Sequence, residues 1–133
     1  MTPVFLDTVG LIGVWNDADQ WHQAASHAYA KLAAMRTPLV TTHEVLLECG
    51  NAAARTTIRS DVTHLRKRLE SQGRLLFATE ADLADAWAMY DRGRPGDPGF
   101  VDCISFAVMR RLGLTEAFTN DQHFAAAGFT TLF

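Results

Sequence analysis

The chain has 133 residues, of which 48% are hydrophobic and 20% are charged, and its formal net charge is −3. These values are ordinary for a globular protein with a real core, so we expect a single domain over residues 1–133. They exclude a strongly basic nucleic-acid coat protein, and any binding of nucleic acid must therefore be local.

Cysteine usage and the N-terminal sequence indicate the compartment. Cys49 and Cys103 have neither a CxxC spacing nor a paired Cys/His spacing, which favours a reducing compartment over a disulfide scaffold or a zinc site. The N-terminus has no basic region and reaches an acid at Asp7, and no apolar run approaches the length of a membrane span. We therefore expect a cytoplasmic protein with no membrane segment.

The chain begins with a short apolar run and two helical stretches. Residues 3–6 are continuously apolar, as in a fully buried strand, and the run ends at Asp7. A short helix or turn over residues 9–15 and an amphipathic helix over about 20–35 follow. The dipeptide Thr37-Pro38 then breaks this helix.

The next part of the chain repeats this order. Residues 39–42 predict a second strand, and Thr42 can cap a helix whose apolar positions continue to Ala53. A further amphipathic helix is predicted over about 58–71, and Gly73 ends it.

The third part contains the only loop-rich stretch. Residues 75–78 predict a strand, and Thr79 starts a helix whose apolar positions run to Tyr90. Residues 91–99 are rich in Gly and Pro and predict a loop. A helix then begins at about residue 100 and ends at a glycine.

Two further short strands are predicted, at residues 117–119 and 129–132. Short apolar strands that alternate with helices favour the α/β class, with a parallel sheet of four to five strands covered by helices on both faces. Sheets of this kind bind ligands beyond the carboxyl ends of their strands.

Acidic residues recur at this edge of the predicted sheet. Asp7 closes the first strand, Glu48 lies on the helix after the second strand, Asp102 starts a later helix and Asp121 follows the strand at 117–119. A single acid after a strand is more often a cap or a turn former. Four acids that point to one edge indicate a site.

The chemistry of clustered carboxylates indicates a metal ion. Such groups raise one another's pKa values unless a cation lies between them. An oxygen site without a His or Cys partner suits Mg²⁺ or Mn²⁺ rather than Zn²⁺, and such sites usually act on phosphates. Two further acids remain candidates for the site at this point. Glu44 lies one turn before Glu48 on the same helix face and could take its place, and Asp97 lies in the predicted loop and could reach the site.

Four motifs give the sequence a family resemblance over essentially its whole length. They resemble, in order and spacing, the motif set of PIN-domain ribonucleases, and most closely that of the VapC-like toxins of bacterial toxin–antitoxin pairs. The motifs are Phe5-Leu6-Asp7-Thr8, Thr41-Thr42 with Val45-Leu46-Leu47-Glu48, Asp102-Cys103-Ile104-Ser105-Phe106, and Thr119-Asn120-Asp121 with His123-Phe124.

The resemblance implies a PIN-like fold and an endoribonuclease in which one or two Mg²⁺ or Mn²⁺ ions activate water against an RNA phosphodiester. It also implies a homodimer and a small cognate antitoxin protein. Thr119 matches a hydroxyl residue that braces the site, and Glu48 is preferred to Glu44 because Val45-Leu46-Leu47 fits the motif. The implied catalytic and metal-binding residues are Asp7, Glu48, Asp102 and Asp121.

Two other functional classes compete with this interpretation. Phosphoryl transfer of the haloacid-dehalogenase kind also uses an Asp after the first strand, but it needs a second Asp at position 9, which is Val. The response-regulator kind needs an acidic pair and a late Lys that the sequence does not show. A PIN-like module that binds RNA or protein without cutting is the alternative from outside the enzymes.

Several other residues have two interpretations. His123 matches the family motif but is interpreted chiefly as a structural or rim residue. The run Arg66-Lys67-Arg68 fits contacts with RNA phosphates and equally a solvated helix face. The helices at about 20–35 and 58–71 would supply the partner interfaces, or their apolar faces simply cover the sheet.

Overall fold

All 133 residues are described by the computed structural model, which contains five strands and seven helices. The strands are β1 (Val4–Leu6), β2 (Leu39–Thr42), β3 (Leu75–Leu76), β4 (Glu116–Phe118) and β5 (Thr130–Thr131). The helices are α1 (Thr8–Trp15), α2 (His22–Ala34), α3 (His43–Ala53), α4 (Arg59–Ser71), α5 (Glu80–Arg92), α6 (Phe100–Leu112) and α7 (Gln122–Ala126).

The five strands form one parallel sheet in the order β3-β2-β1-β4-β5. Central β1 pairs with both neighbours through Phe5, which lies opposite Val40 on one side and Ala117 on the other. Every residue of β1 is buried, which explains why its sequence is continuously apolar. The predicted parallel sheet of four to five strands between helices is confirmed.

The core is apolar on both sides of this sheet. Helix α6 is buried without interruption from Cys103 to Met109, so it is enclosed on all sides over that stretch. Cys49 and Cys103 are both buried free thiols. None of the helices combines the length and the apolar character needed to cross a membrane.

The strands near the sheet edges differ from the predicted bounds. The strand predicted at 75–78 ends at Leu76, and the Phe77 side chain is 62% exposed and stacks on His43. The strand predicted at 117–119 is instead 116–118, because the backbone N–H of Thr119 turns back to the carbonyl of Ala117. Likewise, the predicted strand 129–132 is reduced to Thr130–Thr131.

Helix α2 begins two residues later than predicted. The Asp19 carboxylate accepts a hydrogen bond from the backbone N–H of Trp21, and the Asp19 carbonyl accepts one from that of His22, so a turn precedes the helix. The apolar side chains of Trp21 and Met35, at the two ends of the predicted amphipathic helix, do not join its buried face, since they are 45% and 64% exposed. Ala25 is the residue of this helix that is fully buried.

Gly10 allows α1 to pack closely against β4. A Cβ atom at this position would lie 2.2 Å from the carbonyl oxygen of Phe118 and 2.5 Å from its ring. We expect Gly10→Ala to lower the free energy of unfolding by about 2–3 kcal/mol, because neither the backbone nor the buried ring can yield cheaply. Urea unfolding followed by circular dichroism measures this effect.

Gly50 provides the matched control, because it lies within helix α3 and an added Cβ would meet nothing within 4 Å. Gly50→Ala should leave the stability unchanged or raise it by up to about 1 kcal/mol. Equal stability of Gly10→Ala and the wild type would show that the contact between α1 and β4 is not tight.

Candidate functional site

The four predicted acids meet at the carboxyl edge of the sheet. Asp7 lies between β1 and α1, Glu48 on α3, Asp102 in the first turn of α6, and Asp121 at the N-cap of α7 after β4. All four line one pocket, whose other lining residues are Thr8, Val9, Gly99, Phe100 and Val101. The structure therefore brings every predicted site residue together.

A buried hydroxyl holds two of these acids. Thr119 is fully buried, and its Oγ1 donates a hydrogen bond of 2.9 Å to Oδ2 of Asp7. The same oxygen accepts a hydrogen bond of 3.1 Å from the backbone N–H of Asp121. Thr119 thus fixes the geometry between the end of β1 and the end of β4.

The position of Asp7 disfavours its charged form. The residue is 1% exposed, and burial together with the nearby charge of Asp102 raises the pKa of Asp7 to about 7. The hydrogen bonds from Thr119 and from the backbone of Thr8 oppose this rise only in part. A positive charge in the pocket would favour the ionised carboxylate.

Asp102 shows the same behaviour to a smaller extent. Burial, followed by the charges of Asp121 and Glu48, raises the pKa of Asp102 to about 6, while His123 acts in the opposite direction. The pocket therefore holds more negative charge than its surroundings neutralise.

Thr8 orients the fourth carboxylate. Its hydroxyl donates a hydrogen bond to Oε1 of Glu48, which is otherwise exposed to solvent at the mouth of the pocket. From the sequence alone no role for Thr8 was predicted. The signal that could have indicated one is its position directly after Asp7, at the end of the central strand.

The two open alternatives lie outside the pocket. Glu44 does not line it, and its Oε2 is buried without a hydrogen-bond partner. Asp97 is exposed, and its Oδ2 accepts a hydrogen bond of 2.8 Å from the backbone N–H of Arg94. Of the two candidate glutamates, Glu48 is the one that faces the other acids.

His123 lies at the rim of the pocket, where its ring approaches two of the acids. Its Nδ1 is 3.4 Å from Oδ1 of Asp121 and 4.0 Å from Oδ2 of Asp102. One donor atom from each of these three residues lies within 4.8 Å of the others.

The basic run on α4 is largely occupied by contacts within the chain. Arg66 pairs with Glu70 at 2.9 Å, and Arg68 donates a hydrogen bond to the hydroxyl of Tyr29. On the inner face of the same helix, Leu65 and Leu69 are buried in the core. These contacts favour a solvated outer face and an inner face that covers the sheet.

The donor set fits a divalent cation. Carboxylate oxygens are hard ligands, and the two raised pKa values arise from burial and mutual repulsion, which a cation would offset. Without a cation, the charged form of Asp7 is disfavoured, because burial and the charge of Asp102 raise its pKa to about 7.

Comparisons with known proteins give the chain a family and relatives. A family model described as PIN domain matches residues 4–130. Over 136 aligned positions the chain is 35% identical to the 23S rRNA-specific endonuclease VapC20 of Mycobacterium tuberculosis, strains CDC 1551 / Oshkosh and H37Rv, with 95% of each chain covered.

Solved structures share the fold. The crystal structure of M. tuberculosis VapC20, described as a Sarcin-Ricin loop cleaving toxin, superposes with a TM-score of 0.80 at 28% identity over 96% of each chain. FitAcB from Neisseria gonorrhoeae gives 0.64 at 18% identity, covering 98% of this chain and 96% of that one. PAE2754 from Pyrobaculum aerophilum gives 0.61 at 20% identity, covering 98% and 84%. At these lower identities the likeness shows the fold alone.

Proposed function

We propose that this chain, which belongs to the PIN-domain family and is VapC-like, is a divalent-metal-dependent endoribonuclease and the toxin of a toxin–antitoxin pair. The observation that carries the proposal is the pocket in which four carboxylates meet at the carboxyl edge of the sheet. The 35% identity to an rRNA endonuclease over nearly the whole chain supports the same reaction.

In this proposal the four carboxylates hold Mg²⁺ or Mn²⁺, and they are also the catalytic residues: Asp7, Glu48, Asp102 and Asp121. A bound divalent cation would supply positive charge to the scissile phosphodiester and make water a stronger nucleophile. Thr119 keeps the buried acid at the end of β1 aligned with the end of β4. Thr8 holds the exposed glutamate toward the pocket.

The exposed side of the pocket is where the RNA would enter. Glu48 is exposed and Asp121 is partly exposed, whereas Asp7 is buried at the bottom. The loop over residues 93–99 adjoins the pocket through Gly99 and carries the exposed Arg94. Since it is exposed on this loop, its guanidinium is available to contact a phosphate of the bound RNA.

The relative suggests which RNA to test first. VapC20 is a 23S rRNA-specific endonuclease, and we propose 23S rRNA as the substrate of this chain as well. An rRNA substrate would also mean that the protein acts in the cytoplasm.

The family resemblance further suggests a small antitoxin and a homodimer, and the exposed apolar side chains of Leu47, Phe77 and Trp87 are available for such contacts.

The proposal is tested by incubating purified protein with total RNA in Mg²⁺, in Mn²⁺ and in EDTA. We expect discrete fragments in either metal, fragment ends that map to 23S rRNA, and no cleavage in EDTA. Mass spectrometry of the preparation checks for a co-purified antitoxin, which would mask the activity.

Two other outcomes would contradict the proposal in different ways. Cleavage that persists in EDTA would refute the role of the metal. Tight binding of RNA without any cleavage, in a preparation free of antitoxin, would favour the non-catalytic module.

Thr119 gives a prediction about metal affinity. Thr119→Val keeps the shape of this buried side chain but removes the hydroxyl that contacts Asp7 and Asp121. We expect the affinity for Mn²⁺ to fall by about 10- to 100-fold, as is typical when a group that orients metal ligands is lost. Calorimetric titration measures it, with Thr119→Ser as the control that retains the hydroxyl. An unchanged affinity of the valine variant would contradict the bracing role.

A further inference from the structure

His123 connects the loop over residues 93–99 to the acidic pocket. It lies in the first turn of α7, and its backbone N–H donates a hydrogen bond of 2.9 Å to Oδ1 of Asp121. Its ring Nε2 is 2.9 Å from the carbonyl oxygen of Gly96. The backbone of His123 is therefore fixed by the cap of α7, and its ring is fixed by the loop.

The contact with Gly96 determines which ring nitrogen carries the proton. A carbonyl oxygen only accepts hydrogen bonds, so Nε2 must be the donor. In the neutral ring Nδ1 then has a free lone pair. Nδ1 lies 3.4 Å from Oδ1 of Asp121 and 4.0 Å from Oδ2 of Asp102, so two carboxylates are its nearest charged neighbours.

These separations fit ligands that share one cation. With bonds of roughly 2.1 Å, neighbouring donor atoms around an octahedral ion lie roughly 3.0 Å apart and opposite ones roughly 4.2 Å apart. Both distances measured from Nδ1 lie within this range. The arrangement of a carbonyl, an imidazole and a metal is also the usual way in which proteins orient a histidine ligand.

We propose that His123 binds the divalent cation through Nδ1, together with Asp102 and Asp121, and that the bond to Gly96 orients it for this role. The inference rests on the proposed function, since the cation is that of the nuclease. A nitrogen donor favours Mn²⁺ over Mg²⁺, because imidazole suits transition metals better than Mg²⁺. The site is therefore selective for Mn²⁺, and the hydrogen bond from His123 to Gly96 connects the loop over residues 93–99 to the metal site.

Pulsed electron paramagnetic resonance of the Mn²⁺-loaded protein tests the ligand directly. We expect modulation from a directly bound nitrogen in the wild type, and we expect this signal to change when the protein carries ¹⁵N-labelled histidine. The measurement needs no variant, so it does not depend on whether a variant folds. Bound Mn²⁺ without histidine nitrogen coupling would overturn the proposal, and so would a failure to bind Mn²⁺.

His123→Gln and His27→Gln form the matched pair of variants, because His27 is exposed on α2 and far in sequence from the site. We expect His123→Gln to lose the nitrogen signal and to reduce the ratio of Mn²⁺ affinity to Mg²⁺ affinity by about tenfold or more. His27→Gln should retain both. An unchanged signal and ratio in His123→Gln would show that another histidine is the ligand and would overturn the proposal.

Failure of this inference can be told apart from failure of the proposed function. Metal-dependent RNA cleavage without histidine coupling would overturn the role of His123 and leave the nuclease in place. Histidine coupling in a protein that does not cleave RNA would support the ligand and count against the nuclease.

Discussion

Replacing Asp102 by asparagine should lower the rate of RNA cleavage by more than about 100-fold, which exceeds the typical cost of losing an outer-sphere group. Asp102 lines the same pocket as Asp121 and Glu48, and burial, followed by the charges of these two residues, raises its pKa to about 6. The variant removes one negative charge, and with it one anionic metal ligand, from the pocket that the four acids line. Affinity for Mn²⁺, measured by calorimetry, should fall with it.

The fold should tolerate this change. Asparagine has nearly the same shape, and the charged form of Asp102 is stabilised within the metal-free protein only by His123, whose Nδ1 is 4.0 Å away. Asp85→Asn is the matched control, because Asp85 is exposed on α5 and outside the pocket. If Asp102→Asn cleaves RNA at a rate similar to Asp85→Asn, Asp102 is not part of the catalytic site.

The fold was predictable because its pattern is local. The central run at residues 3–6 is continuously apolar and its strand, Val4–Leu6, is buried on both faces, so its sequence carries an unambiguous signal. The ends of the outer strands were predicted less accurately. β3 and β5 each pair with a neighbouring strand on one side only, and each contains just two residues. Phe77 extends the apolar run that contains β3, yet its side chain lies outside the core.

The acids of the pocket were predictable for a similar reason, because parallel strands end at one edge. The residues that orient them were harder to assign. Thr8 contacts Glu48 across 40 positions, and Thr119 contacts Asp7 across 112. Only the resemblance suggested a role for Thr119. Likewise, the contact of His123 with Gly96 depends on the course of a loop whose Gly and Pro residues show no periodicity.

A second large effect is expected on stability rather than activity. Asp7→Asn should stabilise the metal-free protein above neutral pH, because burial makes the charged carboxylate unfavourable in the folded state. The rise of the Asp7 pKa from 3.8 to about 7 corresponds to about 4 kcal/mol as an upper limit. Asparagine keeps an oxygen that accepts the hydrogen bond from Thr119 but carries no charge.

The direction of the pH dependence follows from this shift. Below about pH 4 both the folded and the unfolded chain hold the proton on Asp7, so its full contribution to stability is present. Between about pH 4 and pH 7 the unfolded chain has lost this proton while the folded chain retains it, so stability falls as the pH rises. Above about pH 7 the loss is complete. Asp7→Asn removes this part of the pH dependence.

Urea unfolding of the wild type and Asp7→Asn in EDTA, at about pH 5 and about pH 8, measures the effect, and the variant should gain most at the higher pH. Adding Mn²⁺ at pH 8 should stabilise the wild type more than the variant, because a bound cation stabilises the folded state and favours the carboxylate. A variant that is less stable than the wild type in EDTA at pH 8 would mean that the charged form of Asp7 is already compensated within the protein. In that case the pocket would not need a cation to balance its charge. The same experiment therefore tests, without any RNA, whether this edge of the sheet is built for a metal ion.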